Sequence, residues 1–182
     1  MLPTVIGLVG PIRAGKTKVA ELLVSGYDYK LASNSEVLGR ILTKLGLDSS
    51  RANLGRLGNA LFEEFGNDAI ARSRLRNINE GRIVVDGIRY PEEVEAYRSL
   101  TEFLLISVVA SDGIRYARAA AAQNIAKEGG ALSQEDFQNL SLARSELNVP
   151  SIMEEADHSL LNTGTTEELS AQLDSILGSL LR

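Results

Sequence analysis

Gly10-Pro11-Ile12-Arg13-Ala14-Gly15-Lys16-Thr17 reads G-x-x-x-x-G-K-T, the phosphate-binding loop pattern known as Walker A. The apolar run Val5-Ile6-Gly7-Leu8-Val9 precedes it, and the helical pattern Lys18-Val19-Ala20-Glu21-Leu22-Leu23 follows. A buried strand, a glycine loop and a helix start are the context in which this pattern acquires a function. Gly10 and Gly15 permit backbone conformations closed to other residues, so that loop amides converge on phosphate oxygens. The helix beginning near Lys16 turns its positive end toward the same anion. Lys16 reaches the β- and γ-phosphates as a point charge, and the Thr17 hydroxyl is placed for magnesium. Gly10, Arg13, Ala14, Gly15, Lys16, Thr17 and Lys18 are therefore the expected nucleotide-binding set, for a nucleoside triphosphate with Mg²⁺ as cofactor.

The rest of the chain supports a fold built around that loop. Apolar runs predict strands over 4–9, 29–32, 82–86, 103–109 and 158–161. Helices are expected over 16–25, 51–65, 67–77 and 113–127, the last ending before Gly129-Gly130. Further helices start at the capping box Ser33-Asn34-Ser35-Glu36, at Pro91, at Ser133-Gln134-Glu135-Asp136 and at Thr165-Thr166-Glu167-Glu168. Gly55 and Gly58 weaken the helix over 51–65, and fit either close packing or a mobile substrate-binding helix. Strands alternating with helices predict βαβ units, a mainly parallel sheet and one three-layer α/β domain over 1–182. Ligands are expected at the carboxyl ends of the strands, where Gly10 and Asp86 fall.

Composition narrows the partners. A net charge of −5 argues against a primary role on nucleic acid, which demands surplus positive charge. With no cysteine, disulfides and thiolate metal sites are excluded. No apolar run approaches the length of a membrane span, and 5–9 is too short for a signal peptide. The expectation is a soluble, cytoplasmic chain with no membrane partner; its oligomeric state is open.

Asp86-Gly87-Ile88-Arg89 leaves a buried strand. There Asp86 is placed to hold magnesium, Gly87 to turn the chain, and Arg89 to present a bidentate fork to phosphate. Arg115 and Arg118 share a helix face and are expected to stabilise charge on the transferred phosphoryl group, with Arg144 a weaker companion. Arg40 is the expected anchor for a phosphorylated acceptor, ahead of Arg51 and Arg56. Arg72, Arg74 and Arg76 read as a solvated face. No catalytic triad or multi-histidine metal cluster assembles around His158, the single histidine.

Four segments together resemble the P-loop nucleoside-monophosphate kinase group, including its adenylate-kinase-like, dephospho-coenzyme-A-kinase-related and deoxynucleoside-monophosphate kinase members. They are GPIRAGKT at 10–17, VVDGIRYPEEVEAYR at 84–98, Arg115-x-x-Arg118 with its following capped helix, and ADHSLLNTGTTEEL at 156–169. The resemblance implies a five-stranded parallel sheet of order 2-3-1-4-5 in a three-layer α/β/α P-loop fold. It also implies a core over 1–33, 78–114 and 146–182, an acceptor-binding insertion over 34–77 and a lid over 115–145. By carry-over, Lys16, Thr17, Arg115 and Arg118 serve the donor, Asp86 magnesium, and Arg40 and Arg89 the acceptor phosphate. Asn162, Gly164 and Thr165 lie near the base. Two departures stand out: no proline precedes Arg89, and Ala122 stands where the group carries a third lid arginine. The implied activity is ATP- and Mg-dependent phosphoryl transfer to a phosphorylated small molecule, a (deoxy)nucleoside monophosphate first. The alternatives are a dephospho-coenzyme-A-kinase-like enzyme, and a P-loop ATPase or assembly factor acting on a protein or ribonucleoprotein.

Overall fold

Every residue of Val5–Val9 (β1) is buried, because β1 is the middle strand of the sheet and is covered on both faces. The computed structural model describes residues 1–76, 81–100, 102–126, 133–142 and 144–181. The order of elements is β1, α1 (Lys16–Tyr27), β2 (Tyr29–Ser33), α2 (Asn34–Lys44), α3 (Arg51–Phe65), α4 (Ala69–Leu75), β3 (Arg82–Asp86) and α5 (Pro91–Arg98). Next come β4 (Phe103–Val109), α6 (Asp112–Ala126), α7 (Gln134–Ser141), a 3₁₀ turn at Arg144–Glu146, α8 (Val149–Glu154), β5 (His158–Leu161) and α9 (Thr166–Ser179). The five strands run parallel in the order β2-β3-β1-β4-β5, as the resemblance implies.

Alternation along each strand sorts the core into two layers. Ile6 and Leu8 of β1 face Val19, Ala20 and Leu23 of α1 and Leu169, Leu173 and Leu177 of α9. Val5 and Val9 face the other way, toward Ala71 of α4, Val94 and Tyr97 of α5, and Val149 and Ile152 of α8. Each fully buried leucine or valine contributes about 1.5–3 kcal/mol relative to exposure, so the sheet is the rigid base on which the loops are set.

Strand register places the site. Leu8 aligns with Asp86, and Val9 aligns with Ser107. Just past the end of β3, Gly87 N (3.2 Å) and Ile88 N (3.0 Å) both donate to the Leu8 carbonyl of β1. The loop after β1 and the turn after β3 thus leave the sheet side by side, at the carboxyl edge.

Some local expectations change. Helix α2 starts at the expected place, yet Ser33 makes no side-chain capping bond. Helix α4 starts at Ala69 rather than at 67. By contrast Ser133 and Thr165 do cap, accepting from Asp136 N and Glu168 N. Helix α8 and the 3₁₀ turn were not foreseen; six and three residues are too short to display a helical period. The expected ends of the helices over 67–77 and 113–127, the Gly129-Gly130 stop and the middle of the expected lid lie outside the described residues.

Candidate functional site

The loop between β1 and α1 folds around its glycines. Gly15 has φ 103°, in the left-handed region, and a Cβ there would lie 1.9 Å from Asn162 Nδ2. At Gly10 a Cβ would lie 2.4 Å from the Val108 carbonyl oxygen, so the loop approaches β4 more closely than any side chain allows. Arg13 also adopts φ 63°. Left-handed residues at Arg13 and Gly15 within one short loop turn its amides out of a regular run, as anion-binding nests require. Helix α1 begins at once after Gly15, with Lys18 N and Val19 N donating to the Gly15 carbonyl at 3.0 and 3.3 Å.

Lys16 is only 8% exposed. Its Nζ donates to the Gly10 carbonyl at 2.7 Å and the Pro11 carbonyl at 3.1 Å, so the ammonium is folded across the loop. Burial, then the neighbouring Arg89 charge, pulls its pKa down from 10.5 to about 8, against opposing pulls from Glu146 and Asp86. Thr17 Oγ1 donates to Asp86 Oδ2 at 2.9 Å. A hydroxyl from the first turn of α1 and a carboxylate from the end of β3 together suit magnesium, which prefers few protein oxygens. Among the described residues no group of three or more His, Cys, Asp and Glu forms a self-sufficient metal cage.

Arg115 and Arg118 reach the loop from outside. Arg115 Nη1 donates to the Ile12 carbonyl (3.2 Å) and Nη2 to Asp112 (2.7 Å), while its guanidinium lies 5.4 Å from the Phe137 ring centroid. Arg118 Nη1 donates to the Ala14 carbonyl at 3.1 Å and Nη2 to the Asn162 carbonyl at 2.9 Å. Asn162, 7% exposed, returns a bond from Nδ2 to the Ala14 carbonyl at 2.8 Å. Arg118 and Asn162 therefore fasten the loop to the end of β5.

Arg89 ion-pairs with Glu146 from the 3₁₀ turn, and Glu146 Oε2 accepts from Ile12 N at 3.0 Å. Beneath Arg89 lies a buried polar cluster. Glu93 of α5, wholly buried, accepts from Arg89 N (2.9 Å), Tyr90 N (3.2 Å) and Asn34 Nδ2 (2.9 Å). Burial pushes its carboxyl pKa up despite these bonds. Asn34 Oδ1 in turn accepts from Arg74 Nη1 at 2.7 Å. Arg74 is thus half-buried and internally bonded, which corrects its expected place on a solvated face. Its Nη2 is buried without a hydrogen-bond partner among the described residues.

These elements enclose one cleft of about 750 Å³. The loop side contributes Arg13, Gly15, Lys16, Thr17, Asp86 and Arg118. Beyond them the wall continues through Asn34, Leu38, Arg51, Leu54, Gly55, Asn59, Phe62, Arg89, Tyr90 and Arg144. Phe62 and Tyr90 meet edge to face at 5.4 Å. The two glycines of α3 have different settings: a Cβ on Gly58 would touch Leu38 at 3.3 Å, whereas Gly55 has open space. Arg51 and Arg144, the weaker candidates in sequence, line this wall. Arg40 is exposed and lies outside it, as do Lys18, paired with Glu21 at 3.4 Å, and the exposed Gly164 and Thr165. Sequence reasoning passed over Glu146, Glu93, Asn34, Phe62 and Tyr90; the signal that was present was the acidic first turn after Pro91.

A family profile described as an AAA domain matches residues 6–140. A UPF0200 protein of Methanocaldococcus jannaschii is 29% identical over 181 residues, spanning 97% of this chain and 90% of that protein. Among solved structures, shikimate kinase from Acinetobacter baumannii in complex with shikimate aligns with TM-score 0.57 and 18% identity, covering 100% of this chain and 97% of the other. Shikimate kinase from Bacteroides thetaiotaomicron aligns with TM-score 0.61 and 14% identity, covering 96% and 98%. At such identities the likeness is one of fold, that of the P-loop kinases. No helix among the described residues is long and apolar enough to cross a membrane.

Proposed function

This chain belongs to the AAA-domain family, and from that premise we propose that it is an ATP- and magnesium-dependent phosphotransferase. Its acceptor is a phosphorylated small molecule, a nucleoside or deoxynucleoside monophosphate. The observation that carries this reading is the charge of the cleft wall. Arg13, Lys16, Arg51, Arg89, Arg118 and Arg144 line one continuous space, and Asp86 is the carboxylate that faces them. A hydroxyl acceptor such as shikimate calls for a general base. The acceptor half of this wall offers neither carboxylate nor histidine among the described residues, since Asp86 is bonded to Thr17. An acceptor whose attacking oxygen already belongs to a phosphate needs no base, and it rewards three guanidinium groups. Phe62, Tyr90, Leu38 and Leu54 supply a flat apolar wall suited to a base, with the Asn59 amide for its polar edge.

In this mechanism the loop amides and Lys16 hold the β- and γ-phosphates, and Thr17 with Asp86 would hold magnesium. Magnesium, when bound, draws charge from the β- and γ-oxygens. Arg89, with Arg51 and Arg144, brings the acceptor phosphate into line with the γ-phosphoryl group. Arg115 and Arg118 fix the loop rather than approach the phosphates through open solvent. The transition state is loose, so alignment and charge stabilisation supply the rate and no covalent intermediate forms. The helices over 34–77 serve as the acceptor-binding insertion and 115–145 as the lid that excludes water.

The test is a panel: protein, ATP and Mg²⁺ with each ribo- and deoxynucleoside monophosphate and with dephospho-coenzyme A, measuring phosphorylated acceptor against ADP. Stoichiometric nucleoside diphosphate is the expected result. ADP without any phosphorylated acceptor would replace the transferase by an ATPase. Lys16→Ala should abolish either activity.

A further inference from the structure

Glu146 is an acidic side chain seated among groups that suit anions. It is 8% exposed. One oxygen accepts from the amide of Ile12, inside the phosphate loop, at 3.0 Å. The other is ion-paired with Arg89, on the acceptor side of the cleft. The two donors come from opposite halves of the site, and a phosphoryl group moving between donor and acceptor needs donors from both. We infer that Glu146 is an internal stand-in for substrate phosphate, which the acceptor's phosphate displaces from Arg89 and from the loop amide. The inference rests on the phosphotransferase reading and adds to it how the cleft is kept ordered before substrate arrives and what the acceptor must remove.

Three features support displacement over a permanent brace. A phosphate dianion arriving at Arg89 meets the negative charge already paired with that guanidinium, and the two repel. Among the described residues Glu146 also has few local restraints. It ends a three-residue 3₁₀ turn, whose following Leu147 N reaches the Arg144 carbonyl at a long 3.4 Å. Leu142 and Leu147 on either side are 70% and 62% exposed, so little apolar burial anchors the turn. Finally, Arg144 belongs to the same turn and lines the cleft. Withdrawal of Glu146 therefore moves a guanidinium as well, exchanging a carboxylate for a cation around the arriving phosphate.

Displacement predicts tighter phosphate binding both when the Glu146 charge is removed and when its side chain is shortened with the charge kept. Titrate inorganic phosphate into the Mg·ADP complex of the wild type and of Glu146→Gln, with a thermal melt of each to verify folding. Glu146→Gln keeps the amide bond from Ile12 but surrenders the charge on Arg89, and phosphate should bind on the order of tenfold more tightly. The gain should vanish in the Arg89→Ala background. Unchanged or weaker phosphate binding in a folded Glu146→Gln protein overturns the inference and makes Glu146 a brace. If that variant does not fold, Glu146→Asp decides: one methylene shorter, it cannot span both donors, and phosphate must again bind more tightly than to the wild type. Failure of the wild type to bind Mg·ADP at all would instead strike at the phosphotransferase reading.

Discussion

Lys16 should take up a proton when nucleotide binds, in an amount fixed by its burial. Its pKa in the free protein is about 8, so at pH 8 about half of the molecules carry a neutral amine. Triphosphate oxygens against the ammonium favour the charged form and lift the pKa well above 8. Binding at pH 8 should therefore draw about half a proton from buffer, against about one tenth at pH 7 and about nine tenths at pH 9. Calorimetric titration of Mg·ATP in buffers of different ionisation enthalpy reads that number as a slope. In Lys16→Arg the slope should fall to near zero, because a guanidinium does not titrate in this range. The same shift bears on stability. The folded pKa lies below the unfolded value of 10.5, so between about 8 and 10.5 the unfolded chain binds more protons. Stability of the free protein should then rise with pH across that window, by at most about 3 kcal/mol. Zero proton uptake by the wild type at pH 8, or equal uptake by Lys16→Arg, would refute the assignment of Lys16 to the phosphates.

Gly15→Ala should abolish Mg·ATP binding in calorimetry and lower the melting temperature, since a Cβ at φ 103° would also strike Asn162. Arg118→Ala and Asn162→Ala should each cost about 1–3 kcal/mol in denaturant unfolding and weaken ATP binding. Their double mutant should cost less than the sum, because both act on the Ala14 carbonyl. Gly55→Leu should leave the dissociation constant for ATP unchanged while raising the KM for the acceptor at least about tenfold, as the new side chain enters open space on the acceptor wall. Leu173→Ala should destabilise by about 2–5 kcal/mol without altering nucleotide affinity, being wholly buried between α9 and the sheet.

The strand-loop-helix start was legible because each of its determinants is local: an apolar run, two glycines, a lysine and a hydroxyl within thirteen residues of sequence. Strand positions followed from the same kind of signal, whereas strand order came only with the family resemblance, since pairing is a long-range property. The misses share that cause. Glu146 meets Arg89 across 57 residues and Ile12 across 134, and Arg74 meets Asn34 across 40. No periodicity marks a charge that is buried by a distant partner. Arg40 illustrates the opposite case, a residue whose placement local geometry does explain. Leu38 and Leu42 are the buried residues of α2, and a position midway between them points to the far side of the helix.

The tie from Asn162 to Ala14 spans 148 residues of chain. During synthesis the nucleotide loop leaves the ribosome 148 residues ahead of the strand end that buckles it. A growing chain thus lacks a finished nucleotide grip until Asn162 has emerged, and a bound nucleotide then rewards the completed fold by mass action rather than steering its early steps.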